Sequence, residues 1–138
     1  MDLNKIHEFE KAIVEIYNTF DGWELTWSGG GYEHYDAKGR TPKGHDCVME
    51  MKFRNKYYET KLLEKYKYDK LMEMDNSIVK LYLVNDPKAN YLFWLNDIRV
   101  GDTEDMWCPD TTLWTKKRLL KPCYLLKETD ATIINTNN

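Results

Sequence analysis

Two acidic residues and one lysine have the types and the spacing of a site for a divalent cation. Glu50 and Lys52 lie two residues apart in residues 46–53, which we predict to be a strand. Side chains alternate across a strand, so these two share one face while apolar residues occupy the other. A carboxylate and an ammonium in the middle of an apolar strand are costly to bury unless they are paired or bound to a metal.

A second carboxylate is needed to hold such an ion. Asp46 shares the face of Glu50, but four residues along a strand span about 13 Å, which is too far for one ion. Asp36 lies in a predicted strand over residues 32–37. A turn over residues 39–44, with two Gly and one Pro, would pair the two strands antiparallel and bring Asp36 beside Glu50. Two carboxylates with a nearby lysine predict a hard-cation site, where the metal lowers the pKa of a bound water and the lysine orients or activates it.

A predicted helix over residues 3–20 supplies a further carboxylate. Its apolar residues recur at spacings of three and four and form one stripe: Ile6, Phe9, Ile13, Ile16, Tyr17 and Phe20. Asp2 or Asn4 could cap the start of this helix. Glu10 projects onto the edge of the buried stripe, whereas Glu8 projects to the opposite side. Glu10 is therefore the helix carboxylate that is expected to face the rest of the protein.

The other elements alternate between helix and strand. A second helix is predicted over residues 57–74, which are rich in Glu, Lys, Leu and Met. Further strands are predicted over residues 23–27, 78–84, 91–95 and 121–127. The order of helix, three strands, helix and two strands predicts a mixed α/β fold with helices covering one central sheet. Residues 1–128 are expected to form a single domain, and residues 129–138 a flexible polar tail.

These motifs together resemble the PD-(D/E)xK nuclease superfamily. The resemblance consists of Tyr35-Asp36-Ala37, then Glu50-Met51-Lys52 on the next strand, within the same order of helices and strands. The resemblance covers about residues 5 to 95, and the sequence is most similar in character to small phage-type members of the superfamily. The residue before Asp36 is Tyr35, where the family motif has Pro. The resemblance implies a restriction-endonuclease-like core, with a central mixed sheet flanked by helices.

The resemblance also implies roles for particular residues. Asp36 and Glu50 would bind Mg²⁺ or Mn²⁺, and Lys52 would serve the attacking water. Glu10 matches the position of a glutamate that many members carry on the first helix. Members often place a further polar residue on the helix after the lysine, and Lys67 and Tyr68 are the candidates in this sequence.

Basic residues are concentrated directly after the predicted metal site. Residues 52–70 contain seven basic side chains against three acidic ones, a local excess of four positive charges, with four tyrosines interleaved. The residues predicted to contact a nucleic-acid backbone are Arg54, Lys56, Lys67 and Tyr68. The alternative is a solvated helix face without a ligand. A second cluster, at residues 116–118 and Lys121, could extend the same footprint.

The overall composition narrows the class of protein. The chain has 138 residues, 42% of them hydrophobic and 31% charged, with a net charge of -3, which excludes a disordered tail and binding to nucleic acid by bulk charge alone. Three cysteines without a C-x-x-C pair favour a reducing compartment, so a cytoplasmic location is expected. The first residues lack the pattern of a secretory signal, and no apolar stretch is long enough to cross a bilayer, so no membrane partner is expected.

The sequence therefore predicts a metal-dependent nuclease that hydrolyses phosphodiester bonds in DNA, with Mg²⁺ or Mn²⁺ as its cofactor. One alternative is a binding protein or a subunit of a larger complex that has the same fold and no catalysis. Another is a structure-specific endonuclease that resolves DNA junctions, which would work as a homodimer.

Overall fold

The computed structural model describes residues 2–29, 33–109 and 118–135. These residues form two α-helices, nine strands and two short 3₁₀ turns. In chain order they are α1 (Leu3–Thr19), β1 (Glu24–Trp27), β2 (Ala37–Arg40), β3 (Asp46–Phe53), β4 (Thr60–Glu64), α2 (Lys65–Met72), β5 (Val79–Asn85), β6 (Ala89–Trp94), a 3₁₀ turn (Leu95–Asp97), β7 (Glu104–Pro109), β8 (Arg118–Lys127), a 3₁₀ turn (Glu128–Asp130) and β9 (Thr132–Asn135). Neither of the described helices is long and apolar enough to cross a membrane.

The strands form two sheets. The larger one has six strands in the order β1-β2-β3-β5-β6-β9, in which β3 and β5 run parallel and the other neighbours run antiparallel. The smaller one has the order β4-β8-β7 and is antiparallel throughout. The predicted mixed α/β fold, with a central mixed sheet and two helices, is thus confirmed.

β3 lies inside the larger sheet, and its alternating side chains reach two separate hydrophobic clusters. Cys47, Met49 and Met51 pack with Ile13, Val14 and Tyr17 of α1 in the first cluster. Val48 packs in the second cluster, which also contains side chains of β4, α2 and β8. The predicted alternation along residues 46–53 is therefore confirmed, and the site residues of β3 lie between two well-packed layers.

The first helix begins and ends within one residue of the prediction, but only part of its predicted apolar stripe is buried. Ile13 and Tyr17 are buried together with Val14, whereas Phe9, Ile16 and Phe20 are 43%, 45% and 40% exposed. The Asp2 carboxylate accepts a hydrogen bond from the backbone N–H of Lys5 at 2.9 Å and caps the helix. Gly22 follows the helix with a φ of +88°, a conformation that favours glycine. Glu10, expected at the edge of the buried stripe, is only 4% exposed. The helix thus carries this carboxylate into the interior.

The second strand differs from the prediction, which placed it at residues 32–37. β2 covers Ala37–Arg40 instead, and it includes Gly39 from the predicted turn. A Cβ atom at Gly39 would lie 1.7 Å from the backbone oxygen of Glu24, so only glycine permits the close approach of β1 at this point. The predicted turn over residues 39–44 is therefore shorter than expected: Gly39 belongs to the strand, and the chain turns after Thr41, where the Gly44 backbone N–H donates to the Thr41 carbonyl at 2.8 Å. Residues 30–32 lie outside the described part of the chain.

The predicted helix over residues 57–74 was wrong in its first half. Residues 60–64 form β4, which pairs antiparallel with β8, and α2 covers only Lys65–Met72. Leu63 is 1% exposed within this pairing. Burial against a strand some sixty residues later outweighs the local helix propensity, which is a weak preference.

The C-terminal part is more regular than predicted. β7 and β8 form an antiparallel hairpin, and β9 pairs with β6 at the edge of the larger sheet. Residues 132–135 therefore form a strand where a flexible tail was expected: Ile133 pairs with Tyr91 and Ile134 with Asn90, and Ile134 packs against the first hydrophobic cluster. Residues 116 and 117 of the second basic cluster, and residues 136–138, lie outside the described chain.

Candidate active site

The antiparallel pairing of β2 and β3 brings the two predicted metal ligands together. Ala37 is paired with Met49, and the backbone N–H of Asp36 donates to the Met49 carbonyl at 2.8 Å. Continuing this register places Asp36 opposite Glu50. The Asp36 carboxylate accepts a hydrogen bond from the Met51 backbone N–H at 2.8 Å, which fixes its Oδ2 atom at β3.

α1 brings the third carboxylate to the same place. The Trp27 indole Nε1 donates to Glu10 Oε1 at 3.0 Å, which holds the glutamate at the end of β1. Glu10 and Asp36 line the same cavity. At Gly29 a Cβ atom would lie 2.6 Å from both Glu10 Oε1 and Trp27 Nε1, so this position must be glycine for the pair to form. No sequence motif marks the roles of Trp27 and Gly29, since Trp27 is known from the sequence only as the last residue of a predicted strand and Gly29 as part of a Gly-rich run after it.

α2 contributes a lysine from the other side. Lys67 Nζ lies 3.2 Å from Glu50 Oε1 and 3.9 Å from Glu64 Oε2. Lys121 Nζ of β8 in turn lies 2.9 Å from Glu64 Oε1. Charges of alternating sign therefore run from the smaller sheet to Glu50, and they position Lys67 against it.

The three carboxylates and Lys67 line one open cavity of about 390 Å³. Its polar walls are Glu10, Asp36, Glu50, Lys52, Arg54, Asn55 and Lys67. A cavity of about 790 Å³ lies along β1, β2 and β3, but its walls include none of the three clustered carboxylates. The chemistry of the lining, rather than the volume, marks the smaller cavity as the candidate active site.

The carboxylates destabilise one another's charged forms. Burial, followed by the charge of Asp36, raises the pKa of Glu50 to about 7. Burial and the neighbouring Asp36 likewise raise the pKa of Glu10 to about 7, against the lowering effect of the Trp27 hydrogen bond. The pKa of Asp36 is also raised, mainly by burial. Buried acids that share a small space have this signature, and it is common where a cation or a proton is handled.

The two lysines respond in opposite directions. Burial, and then the positive charges of Lys67 and Arg54, lower the pKa of Lys52. Burial alone would lower the pKa of Lys67 too, but the charges of Glu50 and Glu64 outweigh it and raise that pKa. Lys67 is therefore a fixed positive charge, whereas Lys52 is the lysine that can lose its proton more readily.

The other predicted contact residues are not all in this cavity. Tyr68 packs its ring against Tyr124 at a centroid distance of 4.9 Å, within the second hydrophobic cluster. Lys56 lines a separate cavity, while Arg54 lines both. Successive residues of a helix point about 100° apart, which is why Lys67 reaches the cavity and Tyr68 does not.

Within residues 2–29, 33–109 and 118–135, no three His, Cys, Asp or Glu side chains form a metal-binding group. Each of the three carboxylates is instead held by a donor of the protein, namely Trp27 Nε1, the Met51 amide or Lys67 Nζ.

Comparison with known proteins bears on the fold. A Holliday junction resolvase, Hjc, from the archaeal hyperthermophile Archaeoglobus fulgidus has a similar structure, with a TM-score of 0.53 over 89% of this chain and 87% of that chain. The chain has the fold of this resolvase. The two sequences are 16% identical, so the likeness to the resolvase is one of architecture. No family model matches the sequence, and no curated protein sequence matches it.

Proposed function

We propose that this protein is a metal-dependent nuclease that hydrolyses phosphodiester bonds in DNA. The observation that carries the proposal is the convergence of Glu10, Asp36 and Glu50 with two lysines in one open cavity. The same constellation was expected from the sequence, and the resolvase-like architecture supports a nuclease over other hydrolases.

The residues of the cavity fit a magnesium or manganese ion. Carboxylate oxygens are the ligands that these hard cations prefer, and Mg²⁺ is commonly held by one or two carboxylates together with substrate phosphates. The raised pKa values of Asp36 and Glu50 support this fit, because a cation would relieve the mutual repulsion. Asp36 and Glu50 would hold the ion, with Glu10 in support. When bound, the metal would supply Lewis-acid polarisation of the phosphate and a lower pKa for a bound water.

Lys52 is proposed to position the attacking water and to take up its proton. It lies two residues from Glu50 on the same face of β3 and lines the same cavity. Its lowered pKa brings the ammonium closer to the neutral form that can accept a proton. A general base must lie within hydrogen-bond reach of the water, and the end of β3 offers that position.

Lys67 is proposed to hold Glu50 in the free enzyme and to contact the phosphate in the complex. Its salt bridge to Glu50 neutralises a buried carboxylate while no cation is bound. A phosphate in the cavity would offer the same ammonium an alternative partner. Glu64 and Lys121 keep the lysine in place, so they act as positioning residues.

A second candidate function is the resolution of branched DNA by a homodimer. The observation that favours it is the resolvase architecture, which extends over almost the whole of both chains. A non-catalytic DNA-binding subunit with the same fold is the remaining alternative.

Cleavage assays separate these candidates. Purified protein would be incubated with linear, circular and four-way branched DNA in Mg²⁺, Mn²⁺ or EDTA. We expect EDTA-sensitive cleavage that is abolished by Glu50→Gln and Lys52→Met and kept by the exposed control variants Glu8→Gln and Lys38→Met. Preference for branched DNA, together with a dimer in light scattering, would assign the resolvase role. DNA binding without any cleavage would refute the nuclease.

A further inference from the structure

A second cavity, of about 210 Å³, adjoins the candidate active site through a shared wall. Arg54, which follows β3, lines both cavities. The second cavity lies between the segment before β4 and the β7–β8 hairpin. Its chemistry is set by five side chains: Arg54, Lys56, Tyr58, Trp107 and Arg118. We call this cavity and its rim the aromatic groove.

Two large aromatic side chains of the groove are exposed to solvent. Trp107 is 64% exposed and Tyr58 is 57% exposed. Trp107 is paired in the β7–β8 register with Leu120, which is itself 53% exposed. Because exposing this much apolar surface is unfavourable, a cluster of this kind commonly marks a binding surface. Aromatic rings on such a surface are platforms on which nucleobases stack.

The charge of the groove indicates a polyanion as its occupant. Lys61 and Asp86 also line the groove, where Lys61 is neutralised by Asp86 at 2.9 Å and by Glu128 at 3.3 Å. By contrast, none of the three other cations of the groove, Arg54, Lys56 and Arg118, forms an ion pair with another described residue. Cations without acidic partners beside exposed aromatics complement a phosphate backbone with free bases, rather than the apolar surface of a protein.

The size of the groove selects unpaired bases over a duplex. Its volume of about 210 Å³ is below the range of about 300–1,000 Å³ that is typical of pockets for drug-sized ligands, so it has room for unpaired bases but not for a duplex. The bases of a duplex are stacked on one another and do not offer a free face to a protein side chain. A base that is already unpaired costs less to insert than one that must be extruded.

We propose that the aromatic groove binds an unpaired DNA segment, with bases stacked on Trp107 and Tyr58 and phosphates held by Arg54, Lys56 and Arg118. The groove by itself would be a single-strand binding site. If the proposed nuclease function holds, on which this step rests, the wall shared with the carboxylate cavity would direct cleavage to a phosphate next to the unpaired segment. The substrate class would then be DNA with a single-stranded arm, such as a fork or flap.

Binding in EDTA tests the groove independently of catalysis. Fluorescence anisotropy would measure the affinity of the full chain for a single strand, a blunt duplex and a duplex with one single-stranded arm. Stacking contributes about 1–3 kcal/mol per base, so Trp107→Ala is expected to weaken binding to the single strand and the forked duplex by about 5- to 150-fold. Tyr58→Ala is expected to act in the same direction, and Trp107→Phe to retain most of the affinity. Binding to the blunt duplex is expected to change less than twofold.

One control and one further groove variant make the result specific. Tyr66→Ala removes an aromatic ring that is 62% exposed outside the groove and is expected to leave all three affinities unchanged. Arg118→Gln is expected to reduce the salt dependence of single-strand binding by about 0.7 in the logarithmic slope, the value for one phosphate contact. Thermal melts of each variant would verify folding.

The outcomes separate the groove from the nuclease. The proposal that the groove binds single strands would be overturned if both Trp107→Ala and Tyr58→Ala bound the single strand as tightly as the wild type. This would hold even if Mg²⁺-dependent cleavage of duplex DNA were intact. Equal loss of duplex and single-strand binding in these variants would overturn it as well. Selective loss of single-strand binding without any nuclease activity in the wild type would support the groove and refute the proposed nuclease.

Discussion

Replacing Asp36 by Asn is expected to make the metal-free protein more stable while it inactivates the enzyme. A pKa of about 7 for Glu50, in place of 4.5, corresponds to about 3 kcal/mol of unfavourable free energy when this glutamate is ionised in the folded protein. Burial is the largest cause and the charge of Asp36 is the next. An Asn at position 36 would remove that charge, and its amide oxygen could still accept the Met51 N–H.

The free energy of unfolding of Asp36→Asn is expected to exceed that of the wild type by about 1 kcal/mol at pH 8 in EDTA, because the charge of Asp36 causes only part of the cost of ionising Glu50. This difference corresponds to a rise of about 3–5 °C in Tm for a domain of this size. The gain should depend on pH. A raised pKa means that the folded state binds more protons than the unfolded state between pH 4.5 and about 7, so the contribution of Glu50 to stability falls as the pH rises through this window. The difference between Asp36→Asn and the wild type should therefore be smaller at pH 5 than at pH 8.

Differential scanning calorimetry at pH 5 and pH 8, with and without Mg²⁺, would measure these differences. Asp46→Asn is the matched control, because Asp46 lies on the same strand as Glu50 but its side chain is 74% exposed and forms an ion pair with Arg40 at 3.6 Å. Such surface pairs contribute at most about 1 kcal/mol. Mg²⁺ is expected to raise the Tm of the wild type and of this control, but not of Asp36→Asn. A lower Tm for Asp36→Asn at pH 8 in EDTA would refute the account of charge repulsion among the carboxylates.

Three further variants test other parts of the structure. Gly29→Ala would place a Cβ 2.6 Å from Glu10 Oε1 and is expected to lower cleavage by about tenfold or more and stability by about 1–3 kcal/mol. Gly44→Ala, at a φ of +83° with nothing nearby, should lower stability and leave single-turnover cleavage intact. Asp86→Asn breaks the ion pair between Asp86 and Lys61, whose side chains are 1% and 2% exposed, respectively. The free energy of unfolding measured in urea should fall by about 3–5 kcal/mol, because a buried charge loses its partner.

The central strand and its charged face could be predicted from the sequence because their signals are local. Alternation along residues 46–53 assigns Glu50 and Lys52 to one face, and a turn before the strand brings Asp36 across from Glu50. The error at β2 did not disturb this arrangement, since Asp36 directly precedes the observed strand and continues its register.

The parts that could not be predicted depend on contacts between distant segments. No sequence feature near residues 60–64 indicates that they pair with β8. The helix preference of the Glu-, Lys- and Leu-rich composition of this segment was therefore misleading. The support of Glu10 by Trp27, and the need for glycine at position 29, arise only when α1 packs beside β1. Likewise, the side chains of the aromatic groove come from segments about fifty residues apart in the sequence, and neither segment alone has a recognisable motif.

Titration of Mg²⁺ tests whether the carboxylate cavity cleaves DNA with a divalent metal, as we propose. The rate of single-turnover cleavage of a forked and a four-way branched DNA would be measured in the wild type, Asp36→Asn and Glu50→Gln. We expect a saturable dependence on Mg²⁺ in the wild type and a fall of about 100-fold or more in each variant, since the loss of a metal ligand removes several kcal/mol of transition-state stabilisation. These results would support the proposal. Cleavage that persists in EDTA, or equal rates in the wild type and both variants, would contradict it.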